Sequence, residues 1–322
     1  MHPFSYHSAD SLADAVRYLA DIGTMPVGGG TDLLVLIDEG LATPSALVDL
    51  RRMPEARGVT VEGDGVVRIG AATRLSEVAR DAIIGERFPA LAEACEAVGT
   101  PALRNMGTIG GNLCQRPRCW YFRRNVRCHK NGGDSCPAVH GENQYLAILG
   151  GGPCYIVHPS DPAVALTALE ARVEVTGPGG SRWVEIDRFY NLPRQRMDRE
   201  TVLERSELVS AVALPPESAG GVQRYHKLMQ RGAWDFALVS LAAVKRPDGE
   251  VRLVLGGVAP RPWRVTSSVE EDVSTGGLDA DAVETLAQRA LIDAAPLSTN
   301  AYKVELAASL LRRAMTELGG ER

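Results

Sequence analysis

Five cysteines, Cys114, Cys119, Cys128, Cys136 and Cys154, fall within 41 residues and are interleaved with Arg116, Arg118, Arg123, Arg124, Arg127 and Lys130. That density asks for a metal. Thiolates are soft anionic ligands, and four of them around iron and sulfide leave a net negative object that guanidinium groups offset. The stretch reads as an iron–sulfur site.

Three plainer readings stand beside it. Disulfides need an oxidising compartment, yet the opening MHPFSYHSADSLADAV has no basic stretch followed by an apolar segment, so no secretory signal is visible. A structural zinc site would usually show close CxxC pairs, whereas the last four cysteines are spaced Cys119-x8-Cys128-x7-Cys136-x17-Cys154. Free buried thiols suit Cys95, which sits in the helical pattern LAEACEAV. Cys114, at the end of IGGNLC, is a fifth candidate ligand or a packed residue.

With 322 residues and 45% hydrophobic content, the chain can build two domains with separate cores. A net charge of −5 gives no global attraction to nucleic acid or to an anionic membrane, and the basic run beside the cysteines is local. The apolar run ALVSLAAV is too short to span a bilayer. The expectation is a soluble protein without nucleic-acid partner or membrane span. It is cytoplasmic, or periplasmic only if exported together with a partner.

In the first sixty residues, Leu12, Ala15, Val16 and Leu19 recur at helical spacing behind Ser8, Asp10 and Ser11, any of which can cap the helix. Strand-like Met25-Pro26-Val27 runs into Gly28-Gly29-Gly30-Thr31-Asp32 and the apolar LLVLI, and ALVDL reads as another buried strand. Such glycines let backbone N–H groups approach a phosphate, with the Thr31 hydroxyl to add a bond, although a glycine-rich turn is more often only a turn. The second region, to about residue 175, carries VVRIGAATRLSEV, a helical stretch from Phe88 to Val98, and Arg104-Asn105-Met106-Gly107-Thr108-Ile109-Gly110-Gly111-Asn112. Two such loops suggest a ligand with two phosphates. Asp161, in HPSD, either accepts bonds from ribose hydroxyls or caps the helix of PAVALTALEA.

GGGTDLL, RNMGTIGGN, the insert RCWYFRRNVRCHK…SCPA…PCYIVHPSD and LGGVAPRPWR together resemble the FAD-binding medium subunit of the molybdenum hydroxylases, over nearly the whole chain. The insert is similar to that of the branch whose flavin subunit also carries a [4Fe-4S] cluster, as in the periplasmic aldehyde oxidase and 4-hydroxybenzoyl-CoA reductase. The resemblance implies an α+β chain: a two-part FAD-binding domain of the PCMH / vanillyl-alcohol-oxidase type over 1–175, and a C-terminal α+β domain of the CO-dehydrogenase flavoprotein type over 180–322. The subdomains run about 1–58 and 59–175, with the cluster insert at 114–154.

The resemblance further implies that Pro26, Val27, Gly28, Gly29, Gly30, Thr31, Asp32 and Leu33 wrap the FAD pyrophosphate as a first loop. Thr108, Ile109, Gly110, Gly111 and Asn112 form the second loop. Asp161 matches a ribose-binding acid, Val209 and Lys227 match further flavin contacts, and Cys119, Cys128, Cys136 and Cys154 match the cluster ligands. Lys227 steadies a negative flavin or is a solvated surface lysine. Trp234, Phe236 and Trp263 are the aromatics of interest in the C-terminal domain, which carries strands such as VRLVLGGVA and the closing helix KVELAASLLRRAM.

No GxSxG elbow, HExxH or other substrate-transforming arrangement is present, so cofactors carry the chemistry. In the family reading a molybdopterin-binding large subunit works on the substrate and a [2Fe-2S] small subunit relays electrons. This chain's FAD then exchanges them with an external acceptor or donor such as a ferredoxin. The cluster is a relay or a structural staple. Two other classes remain open: a stand-alone FAD-dependent oxidoreductase of the same fold, and a zinc-stabilised binding module.

Overall fold

The computed structural model describes residues 2–320, an α+β chain built on three sheets. β1 (Ser5–Ser8), β2 (Thr24–Val27) and β3 (Ala46–Asp49) pair in parallel in the order β1-β3-β2, with α1 (Leu12–Leu19) and α2 (Leu33–Asp38) as crossovers. Parallel neighbours cannot be joined by a tight turn, so each connection carries a helix. Of the three groups expected to cap α1, Ser11 does so, its hydroxyl accepting the N–H of Asp14. The apolar run behind the glycines is α2, which buries Leu36 and Ile37.

β4 (Val59–Val61) and β5 (Val67–Gly70) open the second sheet. Five short helices follow: α3 (Leu75–Arg80), α4 (Ala82–Arg87), α5 (Pro89–Glu96), α6 (Pro101–Met106) and α7 (Ile109–Leu113). The cysteine-rich insert holds only α8 (Trp120–Arg123) and two short 3-10 turns. Then come α9 (Asp161–Ala168), the hairpin of β6 (Arg172–Gly177) and β7 (Gly180–Glu185), α10 (Ile186–Phe189) and β8 (Leu208–Leu214). The sheet is antiparallel in the order β4-β5-β8-β6-β7. The boundary expected between 175 and 180 therefore falls inside the β6–β7 hairpin. β8 lies between β5 and β6 and completes both ladders, so the first domain runs on through Leu214.

The third sheet is antiparallel, with β9 (Val222–Leu228), β10 (Val239–Lys245), β11 (Val251–Gly256) and β12 (Trp263–Arg264) in the order β12-β11-β10-β9. The run ALVSLAAV forms β10, buried from Val239 to Val244. α11 (Ser267–Ser274), α12 (Ala280–Ala290) and α13 (Tyr302–Gly320) cover one face and share a core with Leu241, Leu253 and Leu255.

α9 joins the two domains. All eight of its residues are buried, and its apolar surface runs round the whole helix, as expected of one enclosed on every side. Val164 and Leu166 share a core with Val212 of the second sheet and with Ala242 and Val254 of the third. Each such side chain contributes about 1.5–3 kcal/mol on burial. The start of α9 is thereby held where the three sheets converge on one cleft.

Candidate functional site

A cleft of about 620 Å³ opens between the first two sheets and the C-terminal domain. Pro26 to Leu33 line it, together with Thr108, Gly111, Asn112, Asp161 and Lys227. Gly30 has φ +72°, a left-handed residue ahead of the right-handed Asp32. The N–H groups of Gly29, Gly30, Thr31, Asp32 and Leu33 donate to no protein partner among the described residues.

The two glycine loops press on each other. A Cβ on Gly28 would lie 2.6 Å from the Thr108 hydroxyl, and one on Gly29 would lie 1.9 Å from the Met106 carbonyl oxygen. Gly29 is required because backbone occupies the place of its side chain. Gly111 is less constrained, its Cβ reaching only the Thr108 hydroxyl at 3.0 Å. That hydroxyl caps α7 by accepting the Gly111 N–H. Ile109 and Gly110 face away from the cleft, and their N–H groups donate to the carbonyls of Thr73 and Ala71. These bonds clamp the loop to the end of β5. Val209, on β8, is likewise in the hydrophobic core and does not line the cleft.

Asn112 fixes the far wall. Its Oδ1 accepts the Ser160 hydroxyl at 2.5 Å, and Ser160 caps α9 by accepting the Ala163 N–H. The cap is therefore Ser160, which leaves the Asp161 carboxylate free to point elsewhere. It accepts the Tyr225 hydroxyl at 2.6 Å and the Lys227 ammonium at 2.8 Å, and Lys227 also donates to the Ala97 carbonyl. Burial raises the Asp161 carboxyl above its ordinary value, against the pull of Lys227 and Tyr225. The Lys227 side chain is 4% exposed, so it is not a solvated lysine; it is half of a buried ion pair on the cleft wall.

Asp32 takes a role the sequence does not show. Its carboxylate accepts the Arg116 N–H at 2.8 Å and the Arg123 guanidinium at 2.7 Å, and it pairs with Arg118 at 3.0 Å. The glycine loop is thus tied to the insert. Glu200, which no sequence motif marks, pairs with both Arg116 and the buried Lys130 at 2.6 Å. An isolated acid far along the chain gives no pattern to find. At the other end of the insert, Lys303 donates to the carbonyls of Tyr145, Leu146 and Gly257, and Asn143 binds Ser298 and Thr299.

The cysteines sort by surroundings. Burial raises the Cys119 thiol, with Cys136 and Cys128 adding to the push. Burial raises Cys154 to about 12, with Lys130 opposing and Cys136 and Cys119 adding. Cys119 thus lies within electrostatic reach of Cys128, Cys136 and Cys154, and Cys154 within reach of Cys136. Cys114 is raised to about 12 by burial alone and lines the cleft, while Cys95 is packed in the core. Among the described residues no three His, Cys, Asp or Glu side chains close on a single metal ion. Of the three aromatics, Trp234 and Phe236 line the cleft, whereas Trp263 packs over Gly150.

Known proteins share this architecture. Residues 2–217 match the FAD binding domain in molybdopterin dehydrogenase, and residues 224–318 match the CO dehydrogenase flavoprotein C-terminal domain. The chain is 36% identical to the aldehyde oxidoreductase FAD-binding subunit PaoB of Escherichia coli K12, covering 98% of each. It is 28% identical to the xanthine dehydrogenase FAD-binding subunit of Escherichia coli O157:H7, covering 97% of this chain and 95% of that one. The carbon monoxide dehydrogenase structure from Hydrogenophaga pseudoflava superposes with a TM-score of 0.74 at 26% identity, covering 99% and 98%.

A two-domain flavoprotein fold with a dinucleotide-sized cleft is the class these features define. The chain belongs to the family of FAD-binding medium subunits of the molybdenum hydroxylases. Its relatives are FAD subunits of oxidoreductases, which sets aside a zinc-stabilised binding module. No helix among the described residues is long and apolar enough to cross a membrane.

Proposed function

We propose that the chain is the FAD- and [4Fe-4S]-carrying electron-exchange subunit of a molybdenum hydroxylase complex. It stands between a molybdopterin-binding large subunit with a [2Fe-2S] small subunit and an external acceptor or donor such as a ferredoxin, and it works in the cytoplasm. The observation that carries this is the run of N–H groups from Gly29 to Leu33, without protein partners among the described residues, in a loop that lines the cleft. Such donors receive a pyrophosphate without moving. Thr108, Gly111 and Asn112 would border it, and the Asp161–Lys227 pair would meet the remainder of the dinucleotide.

FAD bound there supplies the conversion between two-electron and one-electron traffic. The residues of this chain bind and orient it. The insert reaches the same cleft through Asp32, with Arg118 partly buried on the wall. Cys119, Cys128, Cys136 and Cys154 would hold the cluster. The electrostatic reach of Cys119 to Cys128, Cys136 and Cys154 supports this.

The test is a redox titration of the purified chain. Dithionite should bleach the flavin and an artificial acceptor should restore it, with no oxidation of aldehyde, purine or aromatic acyl-CoA. Turnover of any of these by molybdenum-free protein would favour a stand-alone flavoenzyme.

A further inference from the structure

Asp32 stands at the N-cap of α2, yet its side chain does not cap that helix. An aspartate in this position ordinarily accepts the free N–H groups of its own first turn. This carboxylate is turned away instead, onto the Arg116 N–H at 2.8 Å, the Arg123 guanidinium at 2.7 Å and Arg118 at 3.0 Å. All three partners belong to the cysteine-rich insert.

Those partners form one small loop with Cys119 inside it. The Arg123 guanidinium donates to the Pro117 carbonyl at 2.8 Å and to the Arg116 carbonyl at 3.1 Å, and the Arg123 N–H donates to the Cys119 carbonyl at 2.9 Å. Residues 116–123 are thereby closed on themselves, and both ends of the loop grip Asp32. Arg123 itself does not line the flavin cleft, whereas Asp32 does. The insert thus reaches the glycine loop from behind.

The donor set suits the cluster of the proposed function, since Cys119, Cys128, Cys136 and Cys154 are all free thiols, none in a disulfide. With a cluster in place, Cys119 is fastened to the other three cysteines. Without it, residues 116–123 keep only their own hydrogen bonds and ion pairs, and a long irregular segment holds its shape poorly when a tie is lost. Glycines give the adjoining loop wide conformational freedom, so a loop not already fixed must be ordered at the moment of binding, at a cost in affinity. We infer that Asp32 is a positioning residue that carries the state of the cysteine site to the glycine loop, so that FAD binds tightly only after the four thiolates hold their cluster. The inference rests on the proposed function and sets an order of assembly, cluster first and flavin second.

Equilibrium dialysis of FAD against the flavin-stripped chain tests this. Three samples are compared: wild type with its iron, wild type after anaerobic removal of iron by a chelator, and Arg123→Gln with its iron. Iron removal should weaken FAD binding about tenfold or more, within the usual range of coupling between two sites, with the circular dichroism unchanged. Arg123→Gln should weaken it by a similar factor at full iron and sulfide content, although the residue does not line the cleft. With that tie broken, removing iron from Arg123→Gln should change FAD affinity by less than about twofold. By reciprocity, saturating FAD should protect the wild-type cluster from the chelator. If Arg123→Gln does not fold, the wild-type comparison carries the test by itself. Equal FAD affinity of wild type with and without iron, weakening only through unfolding of the whole chain, or undiminished affinity in folded Arg123→Gln would each overturn the inference. A wild-type chain that holds no iron, or no FAD, would overturn the proposed function instead.

Discussion

Asp161 and Lys227 show how two expected ligand contacts become one structural unit. Both are nearly inaccessible to water, so each ion is tolerated only because the other is 2.8 Å away. Removing one partner leaves the other charge buried and unpaired, a loss of about 3–5 kcal/mol. Asp161→Ala should therefore lower stability by that order in urea unfolding, and the double variant Asp161→Ala/Lys227→Met should recover part of it. Equal loss in the single and double variants would show that the pair is not coupled. His158 is a second case. Burial holds it at about 4 rather than the ordinary 6.5, and its ring lies against Tyr190. The unfolded chain takes up a proton on this residue below about 6.5, the folded chain only below about 4. Stability is thus fully present above that window and falls as pH drops through it, by about 3 kcal/mol in all. His158→Gln should flatten this part of the unfolding free energy between pH 7 and pH 5; an unchanged slope would argue against it.

At the scale of elements, the glycine loops and the cysteine insert depend on each other. The insert has little regular structure of its own, and a long irregular segment persists in a compact protein only when it is tied down. Here the ties are Asp32 to Arg116, Arg118 and Arg123, Glu200 to Arg116 and Lys130, and Lys303 to the Tyr145 and Leu146 carbonyls. We expect Cys119→Ser, Cys128→Ser, Cys136→Ser and Cys154→Ser each to lose iron and acid-labile sulfide from anaerobically purified protein, and Cys95→Ser to keep both. Stoichiometric zinc in place of iron would contradict this. The sequence made the cysteines and the glycine runs legible because residue type alone restricts what they do. It did not show that Gly110 and Ile109 serve the β5 end, because alternate faces of one short helix look the same in a motif. Nor did it mark Glu200 or the turn of Asp32 toward the insert. Those contacts join residues 84 and 91 positions apart, as Asp32 does with Arg116 and Arg123, and no local pattern records such pairing.

For the whole molecule, the family resemblance carried the fold class and the presence of two domains, while the domain boundary depended on sheet order. β8 reads as an apolar strand in isolation, and only its pairing with β5 and β6 assigns it to the first domain. Three sheets then meet at one cleft because α9 is packed between the second and third, and because the first sheet delivers its glycine loop against Met106. The central claim is that this cleft holds FAD on the Gly29–Leu33 loop. Quantifying flavin released from wild type, Gly29→Val and Gly111→Ala tests it most directly. Wild type should carry one FAD per chain. Gly29→Val, whose side chain meets the Met106 carbonyl, should carry none while keeping its secondary structure. Gly111→Ala, which meets only a movable hydroxyl, should keep most of its flavin. Full flavin occupancy in folded Gly29→Val would contradict the account.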